Sequence, residues 1–226
     1  MNARNIKIEL GDSETLYGEY GLTQNTIFDK SGYGYDGEVV ALTYTSATPS
    51  GTLSAAFNDN TSGIKINYIK GDLMLSDYTI AFWIKPTTDV RDTIFGNHQV
   101  SGVTQTTNIE RYASGVLRIY YNGDVTSNTT TNTVQMKKNE WTHVAITYNK
   151  ATKTIATYQN GIAKATFKKD LTDFPVAVNH YWIGRDARTG TTNLGGSISD
   201  FRFYGTTLSN EDILNLYNNP CSFDNK

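Results

Sequence analysis

Residues 141–167 read Trp141-Thr-His-Val-Ala-Ile-Thr-Tyr148, Asn149-Lys-Ala-Thr152, Lys153-Thr-Ile-Ala-Thr-Tyr158, Gln159-Asn-Gly161 and Ile162-Ala-Lys-Ala-Thr-Phe167. In the first run Trp141, His143, Ala145 and Thr147 fall on one side, and Val144, Ile146 and Tyr148 on the other. That alternation is the pattern of a strand with two distinct faces. Thr, Val, Ile and Tyr suit a pleated surface. The polar break at 149–152 lets the chain reverse into a second strand, 153–158. Asn160-Gly161 then gives the strongest short hairpin signal, because a tight primed turn needs positive φ. Residues 162–167 form the third strand. Such a meander has an apolar face that the rest of the chain must cover.

Working outward, Ile6, Ile8 and Leu10 alternate with polar residues and predict an initial strand. Leu16–Leu22 predicts another, and Ile27–Gly37 is a turn-rich loop leading into a strand over Glu38–Tyr44. Ile64–Tyr68 and Tyr78–Lys85 follow, the latter ending at Pro86, which cannot donate to a ladder. Thr93–Phe95 is a short strand, residues 98–110 a polar loop, and Gly115–Tyr121 a strand closing on Asn122-Gly123. The Thr, Asn and Ser of 124–133 predict a solvated hairpin or sheet edge. Tyr181–Gly184 and Gly196–Tyr204 complete the strands. One helix is expected near the end. Ser209 is its N-cap, Asp212 closes a capping box, and Leu208 and Ile213 form the hydrophobic staple. Ile213, Leu216 and Tyr217 share its buried face. About a dozen strands and one short C-terminal helix predict an all-β antiparallel sandwich.

The chain has 226 residues, 38% hydrophobic, with a net charge of −2. Half of each strand facing water makes that apolar fraction adequate. No proline, glycine or serine tract divides the chain, so one domain over 1–226 is expected, with 1–15 an extra strand or linker and 219–226 a polar tail. The charge implies no broad attraction to nucleic acid or to an anionic membrane. One cysteine, Cys221, excludes an intrachain disulfide framework. No apolar run approaches a membrane span, and the first ten residues lack a signal-peptide core.

Several blocks resemble a known family. Trp141-Thr-His-Val-Ala-Ile-Thr-Tyr148 followed by Tyr158-Gln-Asn-Gly161 resembles a signature of laminin-G-like domains, which belong to the concanavalin A-like lectin/glucanase superfamily. Phe28–Gly37, Tyr78–Pro86 and Gly196–Tyr204 with Leu208–Ile213 resemble three further blocks of that family, in the same order. The resemblance implies two stacked antiparallel sheets in a jelly roll. It also implies that Trp83 and Trp141 are core residues trapped between the layers. The chain departs from the family pattern at Tyr20, Tyr33 and Tyr35, where relatives often carry Trp, Asn or His.

Gly32-Tyr-Gly-Tyr-Asp-Gly37 matches G-x-G-x-x-G, but a dinucleotide site needs a helix after the glycines, and Glu38-Val-Val-Ala-Leu42 is strand-like. Calcium-binding members of the superfamily use an Asp on the last long strand with carbonyls from the early glycine loop. The resemblance therefore implies Asp200, set on the face opposite Ile198, with Asp29 and Gly34 as partners around a structural calcium. The alternative pairs Asp200 with Arg202 and gives Asp29 an Asx-turn. Glycosidases of this fold carry E-x-D-x-E, which does not occur here. No zinc spacing and no nucleophile–histidine pair occurs either.

A binding module fits better. Sugars are recognised by aromatic faces and a few planar polar groups. Asn97 and His98 with Arg111 and Tyr112, and Arg185, Asp186 and Arg188 after Trp182, form a polar site if their loops meet, with Tyr112 as platform. The expected function is thus non-catalytic glycan or polysaccharide binding by an adhesion module of a phage tail or bacterial surface protein. Its expected location is a virion or the cell exterior, within a homo-oligomer or larger assembly. The alternatives are a protein-binding assembly domain and, third, an unusual glycosidase.

Overall fold

The computed structural model describes residues 16–20, 26–27, 37–45, 48–49, 54–57, 61–66, 76–97, 107–121, 124–125, 134–171, 180–186 and 192–220. For 16–20, 26–27, 107, 120–121 and 124–125 it describes the backbone alone. The strand predicted at Ile6–Leu10 lies outside these residues.

The described strands form two sheets. Sheet A contains β1 (Leu16–Tyr20), β4 (Thr43–Thr45), β5 (Ser54–Phe57), β7 (Tyr78–Pro86), β12 (Thr142–Asn149), β13 (Thr154–Gln159), β14 (Ile162–Lys168) and β16 (Gly196–Tyr204). Its order is β14-β13-β12-β7-β16-β5-β4, with β1 also pairing β16. Sheet B contains β2 (Thr26–Ile27), β3 (Gly37–Val40), β6 (Gly63–Ile66), β8 (Asp92–Gly96), β9 (Thr107–Arg111), β10 (Leu117–Tyr121), β11 (Asp124–Val125) and β15 (Tyr181–Ile183). Its order is β11-β10-β9-β8-β15-β6-β3-β2. The named pairings are antiparallel, as in a jelly roll. Among the described residues there is one helix, α1 (Asn210–Asn218), which follows β16.

The sheets close on one apolar cluster. Ile80, Phe82 and Ile84 of β7 and Val144, Ile146 and Tyr148 of β12 meet Ile64, Phe95, Ile109, Ile119 and Tyr181 of sheet B. This is the inner face expected from residues 141–148. Rings fill its centre: Phe95 stacks on Tyr181 at 5.0 Å and 2°, and Phe82 on Phe201 at 5.7 Å and 12°. Offset stacks add a little to what burial already contributes.

The indoles are elsewhere. Trp83 is 7% exposed but alternates with Phe82 and Ile84, so it lies on the outer face of sheet A. There it packs against His143 at 5.3 Å and Tyr217 of α1 at 5.5 Å. Trp182 likewise lies between the core residues Tyr181 and Ile183, on the outer face of sheet B. Trp141, half-buried, precedes β12. The expectation of indoles between the layers is therefore corrected: phenyl and phenol rings occupy that space.

Two strand boundaries also differ from the sequence reading. The strand predicted over Glu38–Tyr44 is broken at Ala41, whose φ is +50°, and the chain passes there from sheet B to sheet A. Ser62 Oγ donates to Ala41 O at 2.8 Å and holds the crossing. Residues 107–110, predicted as loop, form most of β9. Their polar side chains hid the strand because Asn108 and Glu110 are buried by one another and by arginines rather than by apolar contacts.

Helix α1 begins as predicted. Asp212 N donates to Ser209 Oγ at 3.1 Å, and Ser209 N donates to Asp212 Oδ2 at 2.9 Å, a complete capping box. Ile213 and Leu216 pack on Ala81, Ala145, Tyr158 and Tyr204, a second cluster covering part of sheet A's outer face.

Candidate functional site

α1 lies on part of sheet A's outer face, and the outer face of sheet B carries a cluster of charged and polar side chains. Ile109 of β9 and Leu117 and Ile119 of β10 point into the core. Alternation therefore turns Asn108, Glu110 and Arg118 outward. Glu110, fully buried, is the centre of this face. Arg91 donates to both its oxygens, Nε to Oε2 at 2.9 Å and Nη2 to Oε1. Arg118 Nε lies 3.5 Å from Oε2. Asn108 Nδ2 donates to Oε1. A forked arginine fixes a carboxylate's plane as well as its position. The Arg118 guanidinium lies 4.5 Å over the ring of Tyr112, which is 39% exposed. Glu110 raises the pKa of Arg91, first through their hydrogen bond, and the charge of Asp186 acts in the same direction. Burial lowers that of Arg118, with Glu110 opposing it.

The segment after β15 meets β8. Gly184 N donates to Ile94 O at 2.8 Å, Thr93 N to Thr192 O at 2.6 Å, and Thr93 and Asn193 form a parallel bridge. Asp186 is held inside this junction: its N–H donates to Asn193 Oδ1 at 3.0 Å, and its Oδ2 accepts from Thr192 Oγ1 at 2.9 Å. Arg185 places its guanidinium 4.7 Å over Trp182. This stack needs Gly63 on β6, because a Cβ there would lie 2.9 Å from Arg185 Cβ and 3.0 Å from Trp182 Cε3.

Arg111 has a different setting. It is 1% exposed at the end of β9. Its Nε donates to Met136 O at 2.9 Å, and its Nη1 to Val90 O at 3.1 Å and Asp92 Oδ2 at 3.3 Å. Asp92 Oδ1 accepts from Gly195 N at 3.2 Å. The pair ties β8, β9 and the segments around 90, 136 and 195 together. Burial pushes the Asp92 carboxyl up to about 6, against the pull of Gly195 N–H, Arg111 and Thr88.

Of the residues expected at a site, Tyr112, Arg185 and Asp186 lie on or beside this outward face. Asn97 is buried at the end of β8. Arg111 is buried with its guanidinium taken up by backbone carbonyls and Asp92, which is the setting of a structural residue. His98 and Arg188 lie outside the described residues. Sequence reasoning missed Arg91, Asn108, Glu110, Arg118 and Trp182. The signal for three of them was present: Asn108-Ile-Glu110 and Leu117-Arg-Ile119 each alternate polar with apolar.

Asp29 and Gly34 also lie outside the described residues. Asp200 sits at a bulge, with φ +50° and a register shift between Ser199 and Arg202. Strict alternation would return it to Ile198's side. The extra residue instead lets Ile198 and Phe201 both reach the core while Asp200 stays outside with Arg202. Arg202 donates to both its oxygens, at 2.6 and 3.0 Å. A cation at Asp200 would have to displace that guanidinium, so the described residues do not fit a calcium site as they stand. Among the described residues no three His, Cys, Asp or Glu side chains converge as metal ligands do. No helix among them is long and apolar enough to cross a membrane.

Comparison with known proteins agrees with the architecture. No curated protein sequence matches the chain. The receptor-binding domain of botulinum neurotoxin C/D mosaic serotype superposes with a TM-score of 0.71 at 18% identity, covering 92% of this chain and 52% of that one. The binding domain of Paraclostridial Mosquitocidal Protein 1 gives 0.67 at 18%, covering 91% and 52%. The binding domain of botulinum neurotoxin DC, solved in complex with rat synaptotagmin II, gives 0.67 at 17%, covering 92% and 52%. The chain spans about half the length of these structures, and at such identity the likeness is one of fold. A family model described as the concanavalin A-like lectin/glucanases superfamily matches residues 58–214, which is more than half of the sequence. The chain belongs to that superfamily.

Proposed function

We propose that this chain is a non-catalytic recognition module that binds glycan or polysaccharide on the outer face of sheet B. The observation that carries the reading is the ordered constellation on that face. Glu110 orients Arg91, Arg118 and Asn108, while Tyr112, partly exposed, supplies ring surface beside Arg118. Planar polar groups held rigidly next to aromatic rings are what hydroxyl-rich ligands require, because their affinity depends on donors and acceptors that need no reordering. Glu110 is clamped by two guanidinium groups, which suits an orienting role and not proton transfer. The similarity to binding domains supports a binding role. It also supports a place outside the cell; we further propose that the chain is part of a bacterial surface protein or a phage tail.

The test is a glycan array with the purified chain, scored for binding and for released reducing ends. Binding without product, reduced at least tenfold by Arg118→Ala and by Tyr112→Ala, supports the reading. Product release, or binding indifferent to both changes, overturns it. Calcium at Asp200 is a separate proposal that requires Arg202 to turn away. It predicts a melting temperature raised by calcium and lowered by chelator, with Asp200→Asn insensitive to both. Coincident melts would remove it.

A protein-binding reading has one observation in its favour. Strand β14 is the outermost described strand of sheet A, and Ile162 on it is 61% exposed. Stable association with a protein partner, lost on Ile162→Asp while glycan binding persists, would establish that second role.

A further inference from the structure

We infer that a second part of this face, the cationic corner around Trp182, holds the charged group of an acidic polysaccharide, a carboxylate or a sulfate. The inference rests on the glycan-binding reading and names the class of polymer. Strand β8 separates this corner from the Glu110 cluster. Trp182 pairs with Lys65 of β6, and Lys65 stands between the core residues Ile64 and Ile66, so its side chain leaves the sheet on the same side as the indole. His180 meets the indole edge-on, with ring centroids 6.3 Å apart. Arg185 lies 4.7 Å over the indole, and its Nη1 donates to Thr61 O at 3.2 Å. The indole is a buried pedestal, while Lys65, His180 and Arg185 around it are each half-buried and reach solvent.

The charges at this corner are not balanced as they are at the other. Arg91 and Arg118 share the Glu110 carboxylate. Among the described residues no carboxylate pairs with Lys65, His180 or Arg185. Glu38 stands opposite Lys65 on β3, and it is exposed. Asp186, next in the chain to Arg185, is turned into the junction and accepts from Thr192. Burial, and then the charge of Lys65, lower the pKa of His180, and no carboxylate opposes them. Like charges held together disfavour one another, and a bound anion relieves that repulsion and favours the imidazolium. Trp182 and Thr61 fix the guanidinium before any ligand arrives, so little side-chain freedom is lost on binding. The chain's net charge of −2 gives anions no general pull toward the protein, so their recognition depends on this corner. One anion at so exposed a place is held weakly, but a polysaccharide repeats the group along its length.

The experiment measures binding of the purified chain to polygalacturonate, to the same polymer methyl-esterified, to dextran sulfate and to poly-L-glutamate by titration calorimetry. Saturable binding to polygalacturonate or dextran sulfate is expected, with the methyl ester and poly-L-glutamate bound at least tenfold more weakly. Lys65→Gln and Arg185→Gln should each weaken binding roughly tenfold, and Glu38→Gln should strengthen it. Affinity should rise from about pH 7.5 to about 5.5 with net proton uptake, and His180→Gln should remove that rise. Should Arg185→Gln fail to fold, Lys65→Gln and Glu38→Gln carry the comparison. Equal binding to the methyl ester or to poly-L-glutamate, no binding to either acidic polysaccharide, or affinity indifferent to the Lys65 and Glu38 changes overturns the inference. Array binding of neutral glycans that depends on Arg118 and Tyr112, with both acidic polysaccharides unbound, leaves the glycan-binding function standing without this corner. Acidic-polysaccharide binding lost in Lys65→Gln, with the array indifferent to Arg118→Ala and Tyr112→Ala, supports the corner and removes the site at Glu110.

Discussion

Two buried ionisable residues set opposite pH dependences. Burial lowers His143 to about 4, with Asp200 pulling it up and Arg202 pushing it further down. The folded state then keeps the ring neutral where the unfolded chain protonates it. Its contribution is present above pH 6.5 and is lost as pH falls through 6.5 towards 4, by at most about 3 kcal/mol. Asp92, raised to about 6, behaves the other way. The folded state holds a proton that the unfolded chain has released, so this contribution is present below 3.8 and is lost as pH rises through 6, by a similar amount. The two contributions should therefore oppose one another between about pH 4 and 6. Urea melts of His143→Gln should show stability falling as pH rises over that range, and those of Asp92→Asn should show it rising. Parallel slopes in the two variants would refute the assignment. Neither group was legible in sequence. His143 announced only that it stood opposite Val144 and Ile146, and Asp92 lay beside a strand predicted to be short and plain.

At the scale of elements, local chemistry was readable wherever its cause lay within a few residues. The capping box of α1, the Asn160-Gly161 turn and the alternation of β7 and β12 were all predicted and observed. Ser209→Ala should cost about 1 kcal/mol in urea unfolding, and Ser209→Asp should recover most of it. The break at Ala41, the bulge at Asp200 and strand β9 were not readable, because each depends on what the neighbouring strand does. Gly184 shows the same dependence. Its φ is +75°, and an added Cβ would lie 2.2 Å from the Phe57 ring. Gly184→Ala should destabilise by about 2–4 kcal/mol, through backbone strain and a clash in a packed core. A loss below about 1 kcal/mol would mean that Phe57 can yield.

For the whole molecule, the two-layer plan followed from strand periodicity and family resemblance together, but the division of labour between its two outer faces did not. The sequence reading looked for a site in loops, because polar residues there need no strand to explain them. The structure gathers its chemistry on a sheet surface instead, with Asn108, Glu110 and Arg118 drawn from two strands and Arg91 from the turn before β8. Long-range register set that assembly, and no spacing within a single stretch records it. The pattern that did reach the sequence was weak because a polar residue facing out of a strand looks the same whether it meets water or an arginine.

The far side of β14 has a further consequence. Its amides and carbonyls along that fringe face no other described strand, so one molecule's fringe is a template on which another's can dock and propagate. Lys164 and Thr166, both exposed, stand along it, and bringing two such rows together would press ammonium against ammonium. A barrier to that docking should therefore reside in a handful of polar atoms. Replacing Lys164 and Thr166 with valine should produce turbidity and thioflavin staining below the unfolding temperature. A clear solution on prolonged warming would place the safeguard elsewhere.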